Sequence, residues 1–367
     1  TRWQLATGDT LLEFCVTHFG RPFQWAFLVY LLLWSFLVGL ALMSACGAVV
    51  HAGFPLSTPK TDLIVYGILH SIVAVILVKL GGYRLFEKVM TACIVAMFII
   101  VIATAVAVHP PVGEIVSGLL VPSIPKLNDG GLSWTIALLG GVGGTLTVLC
   151  YGYWIREEGR QSIKDLRICR IDLATAYAMT ALFGMSMLVI GSRIDKIEGG
   201  GSKLLVNLAD GLQGEFGEFG PVVKWAFLIG AWGAIFSSLL GVWQAIPYLF
   251  TDFWNMVTDR NDNQAKPQGK QKVDTRSRAY CGYLYGLATV PAIGLWTVSF
   301  ETAQKTYAVI GALVIPFLSI ILLYLNNRTD LVGKEYRNTW KTNTILAVTL
   351  LLFLFAGWMA IQAKFAS

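Results

Sequence analysis

The chain has 367 residues, of which 55% are hydrophobic and 14% charged, against about 25% charged in an ordinary soluble domain. With a mean hydropathy of +0.63 this composition excludes a soluble enzyme, and the surplus apolar surface must face lipid. The net charge of +6 comes without a soluble domain on which basic residues interleave with base-stacking aromatics, so no nucleic-acid partner is expected.

In chain order, apolar runs long enough to cross a ~30 Å hydrocarbon core predict nine spans: Phe23 to Val50, Leu63 to Leu80, Phe86 to Val108, Trp134 to Ile155, Leu173 to Ile190, Val222 to Phe250, Tyr280 to Phe300, Tyr307 to Leu325, and Ile345 to Ala363. The runs are continuously apolar rather than alternating at period two, which excludes a transmembrane β-barrel. The expected fold class is all-α, a polytopic transmembrane helix bundle forming one transmembrane domain over residues 1–367. Most of the 28 Lys and Arg residues fall in loops on one side if the N-terminal end is cytoplasmic, and the positive-inside rule then fixes that orientation. A cell membrane, such as a bacterial inner membrane, is the expected location, with membrane lipid as the surrounding partner.

The first span needs no special account, and the second carries an intramembrane histidine, His70. A histidine at that depth is either a hydrogen-bonding link between helices or a proton or ligand site. The fourth span departs from an ordinary helix: Gly140, Gly141, Gly143 and Gly144 sit at mid-depth, followed by Thr145 and Thr147. Gly140 and Gly144 suit a GxxxG packing face. Adjacent glycine pairs on both sides of Val142 favour instead an unwound segment, which is tolerated at the midplane only where it is buried or lines a watery cavity. Discontinuous helices of that kind build substrate sites in secondary transporters.

The charged stretch from Arg156 to Asp172 has helical charge spacing and predicts a short surface helix, a solvated connector or a gating element. In the sixth span Gln244, Ser237 and Ser238 serve either a ligand or helix packing, and Pro247 and, further on, Pro316 kink or end their helices. Trp25, Trp134, Trp154, Trp225 and Trp296 lie near span ends, as an interfacial belt requires. Residues 260–278 read as a basic loop beside anionic lipid head groups. The six cysteines show no CxxC spacing, so neither a zinc site nor a disulfide framework is indicated. Metalloprotease, serine-hydrolase and nucleotide-binding motifs are all lacking, so no enzyme activity and no cofactor are expected.

Four stretches resemble the natural resistance-associated macrophage proteins, the Nramp transporters of divalent metal ions. RWQLATGDTLLEFC is similar to the end of that family's second helix, GGYRLFEKV to the segment between its fourth and fifth, EIVSGLLVPSIP to the loop before its sixth, and IPFLSIILLYLNNR to its tenth. The resemblance spans nearly the whole chain. It implies a five-plus-five inverted-repeat fold, incomplete at the N-terminus because the first helix, with its Asp-Pro-Gly-Asn motif, and most of the second would precede Thr1. It also implies import of a divalent metal cation of the Mn, Fe or Mg class by alternating access, with proton coupling left open.

On the family's unwound Ala-x-x-Met-Pro-His segment, Gly141 takes the place of the Ala, Gly144 of the Met, Thr145 of the Pro and Leu146 of the His. The implied ion ligands are the Gly141 and Gly144 carbonyls and Thr145, with Gly140, Gly143, Thr147, His70 and Gln244 along the pathway. Losing the thioether shifts the donor set from transition metals toward hard ions such as Mg²⁺. The tenth-helix Gln of many relatives falls at Ala308. Two alternatives stay open: a same-scaffold carrier of another small solute such as an amino acid, and a non-transporting membrane sensor. Protein partners are not indicated by the sequence.

Overall fold

The computed structural model describes residues 1–121, 123–124, 131, 134–135, 137–139, 146–160, 162–192, 203–258 and 273–365. Among these, helices account for the regular structure and no strand occurs. In chain order they are α1 (Arg2–Thr7), α2 (Leu11–Gly53), α3 (Pro59–Ala107), α4 (Val112–Leu120), α5 (Tyr151–Glu157), α6 (Leu166–Ser192), α7 (Lys203–Glu215), α8 (Gly220–Thr258), α9 (Arg278–Gly294), α10 (Phe300–Ala312), α11 (Val314–Leu325), α12 (Thr329–Val332) and α13 (Trp340–Phe365). Seven segments among the described residues are long and apolar enough to cross a membrane: Leu11–Gly53, Pro59–Leu80, Arg84–Ala107, Ile163–Ser192, Gly217–Thr258, Phe300–Leu325 and Trp340–Met359.

Local chemistry sets the helix ends. The Thr10 hydroxyl accepts from the Glu13 amide and starts α2; Thr58 and Ser277 do the same for α3 and α9, since the first amides of a helix have no partner within it. Gly20, at φ 66° with Pro22 two residues on, breaks α2 after its first two turns. The turn from α2 to α3 is tied down by one buried carboxylate. Asp62 Oδ2 accepts from the Leu56 amide at 2.9 Å and the Ser57 amide at 3.1 Å, and it meets His51 Nδ1 at 2.7 Å.

Helix α3 contains two predicted spans, and they run antiparallel. Its first half reaches α8 through Trp232, whose Nε1 donates to His70 at 2.8 Å. Its second half sets Ile100 against Gly230, Cys93 against Gly233 and Met90 against Gly241. In a straight helix His70 and Ile100 would stand about 45 Å apart, yet both touch the same turn of α8. The halves Pro59–Leu80 and Arg84–Ala107 therefore lie back to back along that helix.

The core forms where α2, α3, α8 and α9 meet, around the fully buried Trp34, Trp243, Leu31 and Leu40. Helices α2 and α8 are antiparallel: Gly53 faces Trp225, Gly39 approaches Trp243, and the Phe27 and Phe253 rings lie 5.1 Å apart. A close backbone approach joins α2 to the first half of α3. A β-carbon on Gly47 would strike the Leu63 carbonyl, and one on Gly67 would come within 2.7 Å of the Met43 carbonyl. Each helix thus presents a glycine to the other's backbone, the small-residue contact that lets membrane helices pack without a hydrophobic drive. On the outside, Leu80, Ile99, Leu188, Ile345, Leu351 and Phe355 are exposed, as lipid contact requires.

Two details differ from the sequence reading. The predicted span Tyr280 to Phe300 is a helix only from Arg278 to Gly294, because Ser299 caps the next helix through the Thr302 amide and the chain must turn between them. The charged stretch Arg156 to Asp172 is not one surface helix: Gly159 at φ 72° stops it, and Ser162 recaps the chain before α6. Most of the basic loop at 260–278 lies outside the described residues, as do Gly140, Gly141, Gly143, Gly144 and Thr145.

Replacing Gly47 or Gly67 by Val is expected to destabilise the detergent-solubilised protein by about 1–3 kcal/mol, the usual cost of overpacking. Thermal unfolding measures it. Pairing Gly67→Val with Met43→Ala should not restore stability, because the obstacle is the Met43 carbonyl rather than its side chain.

Candidate functional site

The described part of the glycine span resumes at Leu146, and its first turn is not α-helical. Leu146–Cys150 form a 3₁₀ segment, and the α-helix begins only at Tyr151 as α5. Stretches of 3₁₀ helix within a longer helix mark strain or a hinge, and this one follows the glycine cluster directly.

The 3₁₀ segment borders a cavity of about 740 Å³, within the range of small-ligand sites. Thr147, Val148 and Leu149 line it from the span itself, Glu87, Met90 and Thr91 from the second half of α3, Asp172 and Thr180 from α6, and Gln4 from α1. Its charged lining among the described residues is Glu87, Glu158 and Asp172 against Arg160, three carboxylates to one cation. The cavity lies at the end of the bundle where α2 and α6 begin and where α8 and α11 end, the side on which the loops carry most Lys and Arg. A carboxylate-rich hollow on an otherwise basic face attracts cations and disfavours anions.

Helix α5 is held from two directions. Toward α8, the Tyr153 hydroxyl donates to Asp252 Oδ2 at 2.7 Å, Trp154 Nε1 donates to Gln244 Oε1 at 3.0 Å, and the Tyr248 hydroxyl reaches Glu157 Oε1 at 3.3 Å. Toward α1, Gln4 Nε2 donates to the Gly152 carbonyl at 2.8 Å and Arg156 Nη2 to the Gly8 carbonyl at 3.3 Å. Gln4 lies so close to Gly152 that a side chain there would collide with it. Helix α5 is therefore a fixed post, and the 3₁₀ turn that leads into it borders the cavity at Thr147, Val148 and Leu149.

The predicted pathway residues divide. Thr147 lines the cavity. Gln244 is not among its lining residues: it is buried, and its side-chain oxygen receives Trp154 while its carbonyl receives the Tyr280 hydroxyl at 3.4 Å. This also takes Trp154 out of the interfacial belt, whereas Trp25, Trp134, Trp225 and Trp296 are exposed as expected. Ser237 and Ser238 turn back on their own helix, both donating to the Ala234 carbonyl.

His70 also lies away from the cavity. Its Nε2 accepts from Trp232, so the proton sits on Nδ1 and is donated to the Tyr66 carbonyl at 2.7 Å, with Phe236 edge-on at 5.6 Å between centroids. Both ring nitrogens are occupied, which fixes a neutral tautomer. Sequence reading had no means of finding Glu87, Met90, Asp172 and Arg160, since α3, α6 and the connector before α6 bring them to one cavity. Among the described residues, no three His, Cys, Asp or Glu side chains converge as a side-chain metal centre would need.

A family model described as Nramp, natural resistance-associated macrophage protein-like, matches residues 1–362. Among solved structures, a crystal structure of a manganese transporter mutant from Eremococcus coleocola matches with a TM-score of 0.54 and 17% identity, over 92% of this chain and 72% of that one. At that identity the likeness is one of fold. No curated protein matches the sequence.

Replacing His70 by Leu leaves the Trp232 N–H without its acceptor and is expected to destabilise the protein by about 1–3 kcal/mol. The geometry predicts no change in the pH dependence of transport, which flux measurements on the variant between pH 5.5 and 8 would check.

Proposed function

The chain belongs to the Nramp-like family of integral membrane proteins, and on that premise we propose that it is a secondary transporter that moves a divalent metal cation into the cytoplasm by alternating access. One observation carries the reading beyond family membership: the fourth span loses α-helical form at Leu146–Cys150 beside a cavity lined by three carboxylates. A helix interrupted inside the bundle frees carbonyl groups that hydrocarbon cannot satisfy, and a cation in a watery hollow can. The Gly141 and Gly144 carbonyls and the Thr145 hydroxyl hold the ion in this reading, and Thr147, next but one in the sequence, lines the cavity. The N-terminal end of the chain faces the cytoplasm, and the cavity opens there.

This donor set is all oxygen. Hard cations favour carbonyl, hydroxyl and carboxylate ligands, while soft ions gain from sulfur. The proposal therefore extends to preference: Mg²⁺ competes with Mn²⁺ on comparable terms, and Cd²⁺ gains no advantage over either.

Uptake into proteoliposomes tests both statements. Gly144→Leu is expected to lower Mn²⁺ uptake at least about tenfold, the effect of ~1.4 kcal/mol, and uptake unchanged from wild type would remove the site assignment. Gly144→Met should shift the competition profile toward Cd²⁺ while leaving Mg²⁺ the weaker competitor.

A further inference from the structure

The chain between α5 and α6 places a cation at the cavity mouth with unusual definition for a connector. After α5 the Gly159 amide donates to the Arg156 carbonyl at 3.0 Å and the Arg160 amide to the Ile155 carbonyl at 2.9 Å, with Gly159 at φ 72°. These two bonds around a left-handed glycine form a Schellman motif, so the backbone of Arg160 is pinned to the end of the helix. Its side chain then reaches across to α6, where Nη1 lies 3.4 Å from Asp172 Oδ2, and back to Glu158 at 3.9 Å. The Tyr151 hydroxyl donates to the same Asp172 oxygen at 2.8 Å. All four side chains line the cavity.

The Arg160 contacts are long for charge-assisted bonds, which favour about 2.7–2.9 Å. Asp172 is about half exposed, at 49%. Such a pair is weak and screened. Among the described contacts of Asp172 it is the charged one, beside the neutral Tyr151 hydroxyl, and an ion of higher charge density can replace it.

Resting on the transport reading above, we propose that Arg160 is a tethered competitor for the transported cation. It neutralises Asp172 while the mouth is empty, and a divalent cation crossing the mouth displaces it. Asp172 is then the first carboxylate that an ion meets on this side, or the last that it leaves, and Arg160 sets how readily the ion engages it. Tyr151 keeps the carboxylate oriented in both conditions.

The test is flux of Mn²⁺ through proteoliposomes of known protein orientation, with the ion presented from either side. From the cavity side Arg160→Gln lowers the KM for Mn²⁺ about two- to five-fold, the range expected for loss of an exposed pair, without changing the maximal rate. Asp172→Asn raises that KM, and adding Arg160→Gln to it has no further effect. Arg160→Lys retains the wild-type value, and neither single variant shifts the KM from the opposite side. An Arg160→Gln protein with unchanged KM would overturn the proposal, as would equal shifts from both sides or a change confined to the maximal rate, the signature of a brace between α5 and α6. Wild-type vesicles that carry no divalent cation would instead contradict the transport reading and take this inference with it.

Discussion

Hydrocarbon offers no hydrogen bonds, so every backbone amide and carbonyl that enters it must find a partner inside the protein. That single constraint turns each apolar run of this chain into a helix, and it makes any lapse in helical bonding conspicuous. At Leu146–Cys150 the α-helical pattern gives way to a 3₁₀ turn, and that turn lies beside a cavity. In the proposed reading, carbonyls that would be a liability against lipid serve a cation there. The same rule that builds the bundle thus selects where it can do something other than pack.

Holding such a bundle together is a separate problem, because helices in lipid gain little by burying apolar surface against one another. This protein answers it with close backbone contact and with polar side chains that bridge helices. The paired approach of Gly47 to Leu63 and Gly67 to Met43 is the first device. The second comprises Trp232 on His70, Trp154 on Gln244, and the Ser35–Tyr283 hydroxyl pair at 2.7 Å. Polar residues in a span invite a functional reading, yet His70 is bonded at both ring nitrogens, to Trp232 and to its own helix at Tyr66, and the Gln244 side-chain oxygen takes Trp154. In the proposed reading the ion path then falls to backbone, hydroxyl groups and the carboxylates that line the cavity.

The bundle itself was legible from the apolar runs, since length and continuity of hydrophobicity translate directly into helices that cross a membrane. Ends were less so. Tyr280 to Phe300 reads as one apolar run, but the cap at Ser299 belongs to the following helix and the chain turns before it. In the charged connector, Glu-Gly at 158–159 was a readable stop signal outweighed by the helical spacing of its charges. The glycine cluster itself lies outside the described residues, and the 3₁₀ turn at Leu146–Cys150 follows it directly in the sequence. The cavity mouth was not legible at all. Glu87, Arg160 and Asp172 are ordinary loop and helix-end charges in the sequence, and only the antiparallel fold of α3 and the placement of α6 make them neighbours.

The central claim is that the interrupted span faces a water-filled cavity open to one side and occupied by a divalent cation. It is tested most directly by placing a single cysteine at Thr147, with the native cysteines replaced, and measuring its modification by a membrane-impermeant maleimide from each side of oriented vesicles. The account predicts rapid labelling from the cavity side and slower labelling when Mn²⁺ is present. A cysteine that stays unreactive from both sides, or reacts at the same rate with and without the ion, would contradict it.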